Sequence, residues 1–253
     1  DKYKIVQISD LHLGTFVSET TMNKIVKLVN SQQPDVILFT GDLVNFKTEE
    51  ATPFTKQLQE FHAADGKFAV LGNHDYGEYS QWDSQLEMDN NNEALATFYN
   101  QTGWHLLKNQ HAYVKRNADS ILIAGVENWS ANKRFGKKGD MKLTLTGADT
   151  SKTTILLSHD PSHWDGEINT SYQFVDLMLS GHTHAFQFAI ELGSIKWSPA
   201  SFLFDEWAGL YEEVHQNGVK QFLYVNRGAG TLGYPGRVAT RPEVTLLILR
   251  RVN

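Results

Sequence analysis

The strongest constraint on this chain is a local plan that recurs along it: an apolar run of strand length, a small residue, then Asp, Asn or His. Residues 4–9 (KIVQIS) run into Asp10-Leu11-His12, and residues 36–40 (VILFT) run into Gly41-Asp42. Residues 67–71 (KFAVL) run into Gly72-Asn73-His74-Asp75. Further on, residues 153–157 precede Ser158-His159-Asp160, and residues 175–179 precede Ser180-Gly181-His182-Thr183-His184. Helical stripes separate the first three runs. Met22, Ile25, Val26 and Val29 fall at i, i+3, i+4 and i+7, and Phe54, Leu58 and Phe61 at i, i+4 and i+7. Thr52-Pro53 reads as the N-cap and first residue of that second helix. Strands alternating with helices in this way predict right-handed βαβ units and a parallel sheet.

A third helix is expected over residues 91–102, ending at Gly103. Beyond it the rhythm changes. Strand candidates at 112–116, 121–126, 153–157, 175–179, 186–191, 221–225 and 244–249 predict a second, mixed or antiparallel sheet. Residues 131–150, basic and then rich in Thr, Gly and Asp, read as a connection. No internal repeat is visible, and 253 residues suit one large domain, expected to span 1–253.

The strand ends carry the chemistry. In open α/β sheets the crevice beyond the carboxyl ends of the strands is where ligands bind. Five such ends facing one crevice would gather Asp10, His12, Asp42, Asn73, His159, His182 and His184. Carboxylate, amide oxygen and imidazole without sulfur suit hard or borderline divalent metals. The complete absence of cysteine excludes thiolate ligands, iron–sulfur clusters and thiol nucleophiles. Seven candidates exceed the four ligands of one tetrahedral zinc and suit two adjacent ions sharing a carboxylate. In D-x-H and H-x-H, strand-like alternation would point both side chains to one side. Each piece alone is more often a turn or surface polarity; the five in series point to a metal site.

D-x-H, G-D, G-N-H-D, a lone His and G-H-T-H, in that order, resemble the calcineurin-like metallophosphoesterases, and within them a bacterial YkuE/YaeI-like subgroup. Residues 224–228 and 233–235 also look like that subgroup. The resemblance implies an α/β fold, a four-layer α/β/β/α sandwich of two mixed sheets flanked by helices. It implies that Asp10, His12 and His184 hold one metal, that Asn73, His159 and His182 hold a second, and that Asp42 bridges. His74 would act beside the substrate as proton donor, and Asp75 would orient it. The implied reaction is hydrolysis of a phosphodiester, phosphomonoester or pyrophosphate by in-line attack of a metal-bridging hydroxide. Some members of the subgroup act on UDP-diacylglucosamine, so a lipid-linked or nucleotide-sugar substrate is expected. Manganese is the expected metal, with iron or zinc also fitting the donors. Many of these relatives follow G-H-T-H with Gly-Gly, where this chain has Ala185-Phe186. A bulky ring there would narrow the pocket or add an apolar wall.

Rival readings are separated by order and completeness. A metal-dependent amidohydrolase carries H-x-H on an early strand, whereas here it comes late. The alternative, a non-catalytic metal-binding scaffold of the same fold, would have shed ligands or the proton donor. The net charge of −6 argues against general nucleic-acid binding. No apolar run reaches the roughly 18 residues of a membrane span. The chain opens at Asp1, not Met, on strand-like sequence, as a processed or trimmed protein would, which leaves room for a targeting segment or membrane anchor upstream. Residues 195–211, with Trp197, Phe202, Phe204, Trp207 and Tyr211, read either as core beneath a loop or as an apolar rim for a lipid or a membrane surface. Lys133, Arg134, Lys137 and Lys138 form a basic cluster suited to solvent or to an anionic lipid surface. Arg227 and Arg237 are weaker candidates for a substrate phosphate. His163 reads equally as a contact near the site or as structure, and Trp164 as core; His62, His105, His111 and His215 fit no motif.

Overall fold

The apolar runs fold as strands because both of their faces become covered. The computed structural model describes residues 2–116, 119–192 and 195–250. Its strands are β1 (Lys2–Ile8), β2 (Val36–Phe39), β3 (Lys67–Ala69), β4 (His105–Leu106), β5 (Gln110–Arg116), β6 (Asp119–Gly125) and β7 (Thr153–Leu157). They continue with β8 (Leu177–Ser180), β9 (Ile190–Leu192), β10 (Ile195–Trp197), β11 (Gly209–Val214), β12 (Lys220–Val225) and β13 (Thr245–Arg250). The principal helices are α1 (Glu19–Ser31), α2 (Thr55–Glu60), α3 (Gln85–Gln101) and α4 (Met141–Thr144).

One sheet has the order β13-β1-β2-β3-β4, parallel except for the edge strand β13. The other runs β11-β12-β8-β7-β6-β5, with a parallel centre and an antiparallel pair at each edge. Ile5, Val36, Leu38 and Phe68 of the first sheet meet Ile123, Ile155, Leu157 and Leu179 of the second. Alternation then sends Val6, Ile8, Ile37 and Phe39 to the opposite face, onto Met22, Val26 and Val29 of α1 and Leu95 and Phe98 of α3. Leu156, Met178 and Leu223 of the second sheet pack outward on Trp164, Ile168 and Met141. The result is the expected sandwich of two mixed sheets flanked by helices. Burying each such side chain contributes roughly 1.5–3 kcal/mol. Gln7 fastens the sheets at the end where their parallel strands stop: its Nε2 donates to Thr40 Oγ1 at 3.1 Å and to the Ser180 carbonyl at 2.9 Å.

Several local expectations are corrected. Pro53 lies inside a 3-10 turn, Thr48–Phe54, and α2 begins only at Thr55. Thr52 does not cap it; the Thr55 hydroxyl donates to the Thr52 carbonyl. The third helix starts at Gln85 rather than 91, because Ser84 caps it by accepting from Glu87 N. The strand expected over 186–191 is confined to β9: Phe186 lies in a 3-10 turn, His184–Gln187. Strand β10, within the aromatic segment, and β11, which starts at its end, follow no expected apolar run. Asp1, on which the expectation of an upstream segment turns, lies outside the described residues. Among the described residues no helix is long and apolar enough to cross a membrane.

Candidate metal centre

The loops after β1, β2, β3, β7 and β8 converge at one end of the sandwich. Two glycines show why the motifs read as they do. A Cβ on Gly72 would lie 2.2 Å from Asp42 Oδ1, and one on Gly181 would lie 2.0 Å from Ser9 Oγ and 2.2 Å from Asp10 Oδ2. Only glycine lets these strand ends approach so closely. Gly181→Ala is therefore expected to destabilise the chain by about 1–3 kcal/mol and to push Asp10 away. Thermal unfolding and metal content check this; both unchanged would contradict the packing described.

Six of the seven expected metal residues gather in two groups, and the seventh, Asn73, lies beside the second. Asp10, His12 and His184 form one, and Asp42, His159 and His182 the other, with donor atoms in each group within 4.8 Å of one another. His12 Nε2 faces His184 Nε2 at 3.0 Å, and Asp10 Oδ1 lies 3.2 Å from the latter. In the second group, His159 Nε2 lies 3.2 Å from His182 Nδ1 and 3.2 Å from Asn73 Oδ1. Asp42 Oδ2 stands between the groups, 3.5 Å from His12 Nε2 and 3.2 Å from His159 Nε2. Ligands held about 2.1 Å from one ion at tetrahedral to octahedral angles sit about 3.0–3.4 Å apart. The observed separations match that spacing, and the donor set of imidazole, carboxylate and amide oxygen fits divalent cations. Residues and group therefore fit.

Strand-like alternation does not explain the motifs. Asp10, His12, Asp42, His182 and His184 all have positive φ, between 46° and 70°. They belong to turns, and His182 and His184 consequently serve different groups rather than one. Left-handed backbone at non-glycine residues costs on the order of 1 kcal/mol or more each, and its concentration here marks a site shaped for function. The same conformation continues through Ala185 and Phe186, each with φ 48°. Gly-Gly would relieve that strain; this chain instead sets the half-exposed Phe186 ring at the mouth of the cavity.

The electrostatics favour positive charge at the centre. Burial would raise Asp42, but His159, His74 and His12 around it hold it well below the usual carboxylate range. Asp10 is likewise drawn down to about 2, with burial opposed chiefly by His184. Burial works against a charged His159, yet Asp42 beside it raises it to about 10. Burial lowers His12 to about 3, keeping it a neutral electron-pair donor. His159 Nδ1–H donates to the Thr40 carbonyl at 2.7 Å, which leaves Nε2 to face the centre.

His74 lines a cavity of about 900 Å³ above these groups. Its Nδ1–H donates to the Asn45 carbonyl at 2.8 Å, leaving Nε2 for a ligand. The expectation that Asp75 orients His74 is thus corrected. The Asp75 carboxylate accepts from the backbone N–H groups of Asp42, Leu43, Val44 and Gly72 at 2.8–3.2 Å, tying the two ligand-bearing loops together. It acts on the loops, not on the ring.

Three contributors escaped the sequence reading. Asp160, next to His159, accepts from Ser162 N with Oδ1 and places Oδ2 3.5 Å from His182 Nε2. Its position beside a candidate ligand was the available signal. Tyr79 donates nothing a motif would reveal, yet its ring leans on His74. Asn45 acts through its carbonyl, which any residue would supply. Other candidates are used elsewhere. His163 is buried between the Ser158 hydroxyl and Glu167, and Trp164 is core. Arg227 pairs with Glu243, and Arg237 donates to the carbonyls of Arg227, Gly228 and Gly230 while its Nη2 also lies 3.5 Å from His184 Nδ1, at the edge of the first group. Lys138 pairs with Glu78, while Arg134 lines the cavity.

A family model described as calcineurin-like phosphoesterase matches residues 3–186. The chain belongs to the calcineurin-like phosphoesterase family. Its members are metal-dependent phosphoric-ester hydrolases. A Bos taurus relative, "Transmembrane protein with metallophosphoesterase domain", is 31% identical over 258 residues, 98% of this chain and 53% of the relative. The metallophosphoesterase YkuE of Bacillus subtilis is 28% identical over 263 residues, 100% of this chain and 81% of YkuE. The UDP-2,3-diacylglucosamine pyrophosphatase LpxG of Chlamydia trachomatis is 29% identical over 290 residues, 96% of this chain and 82% of LpxG. The chain spans about half the length of the vertebrate relatives it matches. The family thus reaches vertebrates as well as the bacterial subgroup that the sequence resembles.

Proposed function

We propose that this chain is a binuclear metallophosphoesterase, one calcineurin-like domain over residues 1–253, that hydrolyses a phosphate ester or pyrophosphate bond in a lipid-linked substrate. The observation that carries the reading is Asp42 Oδ2 set between two groups of donors at the base of a large cavity. Asp10, His12 and His184 would hold one divalent ion, and Asn73, His159 and His182 the other, with Asp42 shared. When bound, two such ions supply Lewis-acid polarisation of the phosphoryl oxygens and an acidified water as nucleophile. The chain supplies the rest. His74, anchored through Nδ1–H on the Asn45 carbonyl, would carry a second proton on Nε2 and give it to the leaving-group oxygen, ending as the neutral ring. Asp75 holds the loops of Asp42 and Asn73 at a fixed separation. Manganese is the metal we expect, with iron or zinc fitting the same donors.

The lipid-linked choice rests on the cavity wall. Phe135, Phe186, Leu203 and Phe204 line it, Leu203 being 69% exposed, and Phe202, its neighbour in sequence, is 77% exposed. The aromatic segment divides: Trp207 is buried and Trp197 is 39% exposed, beside Phe202. Apolar side chains sharing one cavity with Arg134 suit an acyl chain and the anionic lipid surface that carries it. LpxG, a pyrophosphatase of a diacylated nucleotide sugar by name, supports this reading, and with YkuE a bacterial setting.

A panel of mono- and diesters, nucleotide sugars and lipid pyrophosphates tests it. The double variant Phe202→Glu, Leu203→Glu is expected to raise KM for a diacylated substrate about tenfold more than for a chromogenic bis-aryl diester. That is about 1.4 kcal/mol, less than the burial of one such side chain. Equal effects on both would remove the acyl chain from this wall. Tight metal without turnover on any of the panel would favour a scaffold.

A further inference from the structure

Asn73 is the one amide among the candidate ligands, and an amide has a direction. Its oxygen offers an electron pair to a cation, whereas its NH2 presents protons, and the two ends have nearly the same shape. A half-turn about the last side-chain bond would therefore replace a ligand by a repelling group with no change in packing. Something must fix which end faces the centre.

Asn73 is buried, with Oδ1 3.2 Å from His159 Nε2. Its Nδ2 donates to the Tyr79 hydroxyl at 2.9 Å. That oxygen is the acceptor described for Nδ2 among the described residues. Tyr79 lies in the loop after the 3-10 turn Asn73–Tyr76 and lines the cavity. Its ring also packs on His74, with centroids 4.5 Å apart. One side chain thus touches both the candidate amide ligand and the proton donor.

We propose that Tyr79 is a positioning residue for the second metal, its hydroxyl fixing the Asn73 amide with the oxygen toward the centre. This rests on the reading of Asn73 as a ligand. Partners that orient a ligand typically change metal affinity 10- to 100-fold when removed. The hydroxyl acts on affinity through Asn73, while the ring acts on His74 and so on turnover.

The test is a manganese titration of the chelated full chain, reading the affinity of each of two equivalents. Tyr79→Phe keeps the ring and deletes the hydroxyl. It is expected to leave the first equivalent unchanged, to weaken the second 10- to 100-fold, and to regain most of its kcat at saturating manganese. Tyr79→Leu, which lacks the ring as well, is expected to weaken the second ion to the same extent but to regain less kcat. In the Asn73→Asp background either carboxylate oxygen serves as ligand, so adding Tyr79→Phe there should change second-ion affinity less than twofold. Wild-type affinity in Tyr79→Phe, or equal losses in the two backgrounds, overturns the inference alone. A wild-type chain that binds one equivalent only overturns the metal-centre reading and this inference with it.

Discussion

Asp42→Asn is expected to abolish the paired metal site and to lower kcat/KM roughly 10³-fold or more, equivalent to about 4 kcal/mol of transition-state stabilisation. The variant keeps the size of the side chain and removes its charge. Three consequences follow from its contacts. Oδ2 lies within 3.5 Å of one ring from each donor group, so its loss uncouples them. His159, held near 10 with Asp42 as its main charged support, loses that partner. The backbone N–H of His74 donates to Asp42 Oδ1 at 2.9 Å, a bond an amide oxygen still accepts, so the His74 loop stays in place. Metal analysis of the desalted variant should show fewer than two ions per chain. Two ions with near wild-type turnover would show that Asp42 is not the shared ligand.

His74→Asn should separate chemistry from metal binding. Loss of a general acid typically reduces rate 10²- to 10⁴-fold. His74 stands outside both donor groups, so metal content should stay at the wild-type level. The loss should depend on the leaving group. An alkoxide needs a proton as it departs, whereas a nitrophenolate leaves well without one. The variant is therefore expected to lose about 10³-fold in kcat on an alkyl phosphodiester and tenfold or less on a bis-nitrophenyl diester. Equal losses on both would give His74 a role in charge stabilisation rather than proton transfer. Full activity on both would remove it from the mechanism.

The sequence made the strand ends legible because each apolar run stops at a small residue followed by a donor, and burial on both faces leaves those runs few alternatives. Gly72 and Gly181 carry the same information sterically, since a Cβ at either would strike Asp42 or Asp10. What the pattern could not carry was conformation within the motifs. His182 and His184 are two residues apart, and strand geometry would join them; left-handed backbone divides them between the groups. Contacts made through the main chain were equally hidden. The Asn45 carbonyl holds His74, and four amides occupy Asp75, although adjacency in Asn-His-Asp suggests that Asp75 meets His74.

The elements after β3 are less legible for physical reasons. Strand β11 is an exposed edge strand with residues such as Glu212 and Glu213, so it lacks the apolar run that signals a buried strand. The first turns of α3 are polar and exposed, and its start is marked by the Ser84 cap rather than by periodicity. The aromatic segment 195–211 divides between core and surface because Trp207 turns inward while Leu203 lines the cavity and Phe202 is exposed beside Trp197.

Two ions acting together across Asp42 would make turnover depend on the second equivalent of metal. The most direct test is to chelate the wild-type chain, add manganese stepwise, and follow bound equivalents and phosphodiester hydrolysis in the same samples. Two equivalents per chain are expected, with turnover appearing as the second binds. Full turnover at one equivalent, or turnover that survives chelation, would contradict this.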